Sequence, residues 1–325
     1  MTTQTIPVVN LADFSGGSVH RRQQFVTEVG KALEEIGFLA VVNHGVEADL
    51  IQRAYRVSEQ FFSLPEMVKR HYEDPYLNGQ RGFTSFGREH AKDSTVPDLK
   101  EFWHVGREVR SDRAPTSRYP ANLSPVEVPQ FYPTMTRLYQ QLEACAIALL
   151  QACALYLGEP ETFLSTMVED GDTILRIIHY PPIPANVHPG SLRSAPHEDI
   201  NLITLLCEAT DDGLELLQRD GTWLPVRAVA GQIIVDSGDM LQQLTNGLMR
   251  STTHRVVNSG NTNPADSGTQ NPNPRFSMPF FVHPRPEIDL TPLPQCVERV
   301  GERRFPSITA GDYLLQRLRE IGLAV

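Results

Sequence analysis

The chain has 325 residues, with 29 Lys and Arg against 39 Asp and Glu and a formal net charge of −10. That acidity argues against a binder of phosphate backbones, which carries a basic face. A hydrophobic share of 40% with 21% charged residues supplies a large core and excludes wholesale disorder. The longest apolar stretch, 144–150, stops at Gln151, short of the roughly 20 residues that span a bilayer. The opening MTTQTIPVVN lacks the basic and apolar regions of a secretory signal. Cys145, Cys153, Cys207 and Cys296 lie far apart with no C-x-x-C pair, so reduced, buried thiols are expected. These features together predict a soluble, cytoplasmic protein with no membrane or nucleic-acid partner.

Pro7, Val8 and Val9 open a short strand, and Phe25, Val29, Leu33 and Ile36 mark one helix face. Gly37 is placed to end that helix, and residues 38–42 follow as a buried strand. Asn43-His44-Gly45 is a turn, with His44 expected to be a structural hydrogen-bonder. Leu50, Ile51, Ala54, Val57 and Phe61 build a second helix that Pro65 helps to terminate. Residues 72–123 are rich in Gly, Pro, Asp and Ser and read as irregular surface chain with short elements. From 129 to 157, Phe131, Met135, Leu138, Leu142, Cys145 and Leu149 form the core stripe of a long helix.

Beyond it the texture turns to β. Short runs at 173–180, 201–207, 214–218, 232–235, 249–257 and 275–282 are rich in Ile, Val, Leu and Thr, with turns between them. That spacing suggests a β-sandwich or jelly roll. Residues 258–273 form an Asn/Gly/Pro-rich loop, and Thr309 before Asp312 is a capping box that opens a last helix. No internal repeat is visible.

His197-Glu198-Asp199 stands at the entrance to the 201–207 strand. Alternation in extended chain sends His197 and Asp199 the same way. An imidazole and a carboxylate supply two of three donors for a facial metal site, and His254 is the candidate third. Two His and one carboxylate are the donor set of mononuclear non-haem Fe(II) oxygenases. Alone, H-x-D is common, and a single strand His is more often satisfied within a core. Alternation also puts Arg275 and Ser277 on one face. Together they offer a guanidinium fork and a hydroxyl suited to a carboxylate. Tyr180, before Pro181 and Pro182, could add a phenolic donor. Glu101 and His104 spell E-x-x-H, but a di-iron bundle needs two copies and one is present. His104 therefore reads as structural or substrate-facing, and Asp236 and Asp239 as turn carboxylates.

The order His197, Asp199, His254, Arg275, Ser277 resembles the isopenicillin N synthase-like branch of the Fe(II)/2-oxoglutarate-dependent oxygenases. Ile6-Pro7-Val8-Val9 and Gly37-Phe38 with Asn43-His44-Gly45 resemble that family's N-terminal segment. Tyr180-Pro181-Pro182 and Ser277-Met278-Pro279-Phe280-Phe281 resemble its core strands, so the likeness runs from about residue 5 to 320. It implies a mixed α and β fold: a double-stranded β-helix (jelly roll) core with flanking N-terminal helices, one long helix and a C-terminal helix. The segments would be 1–125, an N-terminal oxygenase-family part; 126–170, the long supporting helix; 171–288, the jelly-roll core; and 289–325, a helical tail. All four would form one structural unit.

By the same resemblance, Fe(II) would sit on His197, Asp199 and His254, with 2-oxoglutarate on Arg275, Ser277 and Tyr180. O2 would be the oxidant and a small organic molecule the substrate. An unactivated C–H bond would be hydroxylated, desaturated or cyclised with release of succinate and CO2. Arg81, Phe83, Glu101 and Phe102 fall where family members place substrate contacts. Two departures stand out. The interval from His254 to Arg275 is longer than the family pattern, and its 258–273 loop could act as a lid. Ile178 and His179 precede Tyr180 where the plant pattern has Asn and Tyr, which leaves more of the co-substrate to Arg275 and Ser277. A 2-oxoglutarate-independent oxidase of the isopenicillin N synthase type and a catalytically silent jelly-roll binding protein are the alternatives. A zinc hydrolase would explain neither Arg275 nor Ser277. A monomer is compatible with the sequence.

Overall fold

The computed structural model describes residues 5–77, 79–88, 98–108, 120–183, 191–227, 229–258 and 273–320. β1 (Val8–Asn10) leads into α1 (Leu11–Ser15), where the Asn10 side chain accepts from Ala12 N. α2 (Val19–Glu35) starts at the Ser18 cap and buries Phe25, Val29 and Leu33, as their spacing requires. Gly37, at φ +78°, turns the chain into β2 (Phe38–Val42). A Cβ at Gly37 would lie 2.6 Å from Arg250 O, so the position demands glycine twice over. α3 (Ala48–Phe62) and α4 (Glu66–Arg70) follow, then β3 (Gly82–Thr84) and β4 (Glu101–Gly106).

α5 (Phe131–Tyr156) matches the predicted long helix, and α6 (Phe163–Val168) follows it. By length and composition α5 could cross a membrane. In the fold it is a core helix, with Phe131, Met135, Leu138, Leu142 and Leu149 all buried. The β region comprises β5 (Ile174–Tyr180), β6 (Ser194–His197), β7 (Ile203–Leu206), β8 (Leu214–Leu217) and β9 (Trp223–Pro225). β10 (Ile233–Ser237), α7 (Asp239–Leu244), β11 (His254–Val256), β12 (Arg275–Ser277) and β13 (Pro279–Val282) continue it. α8 (Pro294–Val300) and α9 (Ala310–Glu320) end the described chain. At the predicted cap Thr309 Oγ1 accepts from Asp312 N at 3.2 Å and donates to Asp312 Oδ2 at 2.7 Å, so the carboxylate meets the hydroxyl rather than the Thr309 N–H of a full capping box.

The larger sheet runs β1-β2-β10-β7-β13-β5-β4-β3, with β12 also on β5, and the smaller runs β6-β11-β8-β9. β1 pairs parallel with β2, and the remaining ladders are antiparallel. Phe38, Ala40 and Ile234 of the larger sheet pack on Leu214, Leu216 and Leu224 of the smaller, which closes the jelly roll. On the larger sheet's outer face lie α2, α3 and α5, and an aromatic cluster joins α3, α5 and β4, with Phe61 meeting Trp103 at 4.8 Å and Phe131 at 5.5 Å.

Three details differ from the sequence reading. β4, inside the stretch read as irregular, is a fully buried strand. His197 ends a separate strand, β6, instead of opening the next one. Pro196 hides β6 from a pattern search, and a proline is tolerated there because β6 is an edge strand. Asp236 lies inside β10 rather than in a turn.

Leu149, 1% exposed, sits at the centre of the α5 interface. Leu149→Ala is expected to lower stability by about 2–5 kcal/mol in urea unfolding, the range for a truncated core leucine. An unchanged midpoint would contradict the placement of this helix.

Candidate active site

β6 and β11 are neighbours, and their register sets His197 directly opposite His254. Opposed residues of an antiparallel pair point the same way, and the two ring centroids are 4.4 Å apart. Asp199 follows in the loop after β6. Its Oδ1 lies 3.9 Å from His197 Nε2 and 3.7 Å from His254 Nε2. One donor atom from each of the three falls within 4.8 Å of the others.

The far side of each imidazole is fixed. His197 Nδ1 is 2.7 Å from Ala195 O, and His254 Nδ1 is 3.1 Å from Thr252 O. A ring nitrogen against a carbonyl carries the proton, which leaves Nε2 with a lone pair facing Asp199. Asp199 Oδ2 accepts from the Thr204 hydroxyl, and Asn201 Nδ2 donates to Thr204 Oγ1 at 3.0 Å. Burial first, and the neighbouring His254 second, pull the His197 pKa down to about 4, although 32% of its side chain faces the cavity. Beside them, burial and then the Asp199 carboxylate push Asp236 well above the usual carboxylate range. A neutral Asp236 avoids placing a second buried charge against Asp199.

The facing wall comes from the larger sheet, by the period-two alternation of its strands. Arg176, Ile178 and Tyr180 of β5, Arg275 and Ser277 of β12, and Pro279 and Phe281 of β13 line the same cavity as the three donors. Arg275 stands opposite Tyr180 in the ladder, and its guanidinium is 5.1 Å from the Tyr180 ring centroid. Arg275 is 1% exposed; its Nε donates to Asp211 O at 3.0 Å, whereas Nη1 has no acceptor among the described residues. A buried cation with an unmet donor fits an anionic ligand, since burial without a partner is costly. The chemistry of the residues present therefore suits both groups: imidazole and carboxylate for a divalent transition metal, guanidinium and hydroxyl for a dicarboxylate.

Other polar wall residues are Lys100, Ser194 and Arg176. Lys100 Nζ donates to Asp98 Oδ2 at 2.8 Å. Arg176 lies 4.2 Å above the Phe102 ring, with its Nε donating to His104 Nε2 at 2.6 Å. Phe102 is thus on the cavity side of β4, backing Arg176. The other sequence candidates lie elsewhere. Glu101 points to the opposite face, where Lys69 Nζ reaches it at 2.7 Å and His179 Nδ1 at 2.8 Å. Phe83 belongs to the aromatic cluster, 6.0 Å from Phe61, and Arg81 packs against Gly106 with Nη1 on Gln80 O. His44 is a structural hydrogen-bonder whose Nδ1 accepts from Val46 N at 3.1 Å. The proposed lid, 258–273, lies outside the described residues apart from its two ends. Sequence reasoning missed Lys100, Arg176, Thr204 and Asp236. Of these, Arg176 was within reach, because it shares the alternation of Ile178 and Tyr180.

Comparison with known proteins agrees with this geometry. Residues 6–127 match the family described as non-haem dioxygenase in morphine synthesis N-terminal, and residues 171–284 match the 2OG-Fe(II) oxygenase superfamily. A solved structure from Caulobacter crescentus, described as a 2OG-Fe(II) oxygenase family protein, is 37% identical. It covers 98% of this chain and 100% of its own, with a TM-score of 0.83. A Neurospora crassa protein crystallised with α-KG and thymine is 26% identical, covering 98% and 97%, with a TM-score of 0.84. Gibberellin 20 oxidase 3 of Oryza sativa subsp. japonica is 31% identical over 95% of this chain and 80% of its own. With the two matched segments, the shared fold and these relatives, the chain belongs to the isopenicillin N synthase-like 2OG-Fe(II) oxygenases and is an Fe(II)- and 2-oxoglutarate-dependent dioxygenase that consumes O2.

Proposed function

We propose that His197, Asp199 and His254 hold Fe(II), and that Arg275 and Ser277, with Tyr180 beside them, hold the distal carboxylate of 2-oxoglutarate. The observation that carries this reading is the meeting of three donors within 4.8 Å on the wall of the cavity that Arg275 and Ser277 also line. When bound, the iron and co-substrate supply oxidative decarboxylation to succinate and CO2, coupled to oxidation of a substrate C–H bond. The chain's own residues do the rest. The two imidazoles, each held by a backbone carbonyl, and the Thr204-oriented Asp199 present their donors in fixed directions. Leu206, Leu214, Val256 and Phe281 keep the cavity apolar and exclude water around a reactive centre.

Lys100, Arg176 and Ser194 give the cavity hydrogen-bond donors, so the substrate we favour is a small organic molecule carrying carbonyl or carboxylate acceptors. The thymine held by the Neurospora crassa relative, a small molecule with two carbonyls, supports that class. Hydroxylation, desaturation or ring closure then depends on which unactivated C–H bond this wall presents to the metal. The acidic net charge favours a free small molecule over a nucleic acid. We also take the chain to work as one structural unit in the cytoplasm. β1 to β4 join the sheet of the C-terminal core, and four buried free thiols suit a reducing compartment.

Succinate and CO2 release that requires both Fe(II) and 2-oxoglutarate tests this reading. Arg275→Ala should raise the KM for 2-oxoglutarate about tenfold or more, as loss of a charged hydrogen bond of about 1.5–3 kcal/mol requires, while leaving iron affinity unchanged. An unaltered KM would remove Arg275 from the site. Thr204→Val, which deletes the hydroxyl on Asp199, should weaken Fe(II) binding about 10–100-fold, the range for outer partners of metal ligands. Wild-type iron affinity in that variant would show that Asp199 needs no such support.

A further inference from the structure

α9 supplies no residue to the cavity wall, yet two of its side chains converge on one buried carboxylate. Asp239, the first residue of α7, is 8% exposed. Tyr313 Oη donates to its Oδ2 at 3.0 Å, and Arg317 Nη2 lies 3.4 Å from the same oxygen. Arg317 Nη1 is held in turn by Glu320 at 2.7 Å. The start of α9 is pinned as well. Ala310 N donates to Ile288 O at 2.8 Å and Gly311 N to Pro286 O at 2.9 Å, so the helix is docked at both ends of this contact.

From Asp239 the connection runs through main chain to the metal site. The first N–H groups of a helix have no partner inside it and must find one outside. In α7 they find the carbonyls that follow His197. Asp239 N donates to Asp199 O at 2.7 Å, Gly238 N to Leu202 O at 2.9 Å, and Met240 N to Asn201 O at 3.1 Å. The two segments touch so closely that a Cβ on Gly238 would sit 2.3 Å from Asn201 O and 2.8 Å from Asp199 O. A shift of Asp239 therefore carries the backbone of Asp199 with it. A second tie works alongside: Thr253, next to His254, donates its hydroxyl to Glu198, between His197 and Asp199.

We propose that α9 is a positioning element for the metal site. Tyr313 and Arg317 fix Asp239, Asp239 fixes the main chain of Asp199, and the strength of that linkage sets the affinity for Fe(II). This rests on the assignment of His197, Asp199 and His254 as iron ligands. The rival account is that α9 stabilises the fold and nothing more. In that case iron affinity would follow overall stability and be indifferent to where stability was lost.

The test uses the full chain, with Fe(II) binding measured anaerobically by equilibrium dialysis well below each variant's melting temperature. Tyr313→Phe keeps the ring, and Arg317→Met keeps the stem, so both preserve most of the packing. The double variant should show a Kd for Fe(II) about tenfold above wild type, the low end of the effect of removing outer partners of metal ligands. Leu149→Ala, destabilised on the far side of the larger sheet, should keep the wild-type Kd, and so should Arg317→Lys with Tyr313 intact. If the double variant fails to fold, Tyr313→Phe alone provides the same comparison. A wild-type Kd in the double variant (or in Tyr313→Phe where that stands in for it), or an equal loss in Leu149→Ala, overturns the proposal. A wild-type protein that binds no Fe(II) would instead remove the iron-site assignment, and this inference with it.

Discussion

The site depends on strand register. In an antiparallel ladder the residues that face one another share a side of the sheet, and a slip of one residue sends a side chain to the other face. His197 and His254 are such a pair in the smaller sheet. Across the cavity, one row of the larger sheet passes through Phe38, Asp236, Thr204 and Phe281; the next step along β7 and β13 pairs Leu206 with Pro279, and further along β5 Ile178 stands opposite Ser277 and Tyr180 opposite Arg275. The two sheets enclose one cavity, and the β6–β11 register that opposes the two histidines shifts only beyond them, between His254 and Val256. Asp199 is the exception, held by a loop. It needs the Thr204 hydroxyl and the Asp239 amide for want of a ladder of its own.

The opposite face of the larger sheet shows what polar groups do when they are not part of the cavity. Glu101, His179 and Lys69 form a buried cluster there, with His179 stacked 4.7 Å from Phe276. Lys69 and Glu101 are 8% and 5% exposed, so each charge depends on the other to offset its desolvation. That cluster ties α4, β4 and β5 together and backs the β5–β12 pairing that carries Tyr180 and Arg275. Residues on opposite faces of the same strand thus serve different ends: Phe102 and His104 support the cavity, whereas Glu101 supports the fold.

Much of this was legible in the sequence, for reasons that can be named. H-x-D, His254 and R-x-S mark chemistry because few other roles call for those side chains in that order, and alternation places Arg275 and Ser277 together without a structure. The long helix was legible because its apolar residues recur at the helical period. Three features were hidden. β6 contains Pro196 and is too short for a periodic signal, so His197 seemed to open a strand that it closes. β4 places Glu101 and His104 among apolar residues, and all six are buried, which no hydropathy pattern announces. Asp236 precedes Ser237-Gly238-Asp239 and read as part of that turn, although the ladder runs through Ser237. Arg81, Phe83 and Glu101 show the limit of placing contacts by segment. Which face a residue takes is set by the partner strand, and a family-like position does not specify it.

The account's central claim is that a single cavity brings the three-donor iron site and the Arg275 carboxylate site together. An anaerobic titration of the purified chain with Fe(II) and then 2-oxoglutarate tests it, read by the visible charge-transfer band of a keto acid chelated to iron. The account predicts that the band develops in the wild-type protein and is abolished in His197→Ala. Iron that binds without any band on addition of 2-oxoglutarate would contradict it.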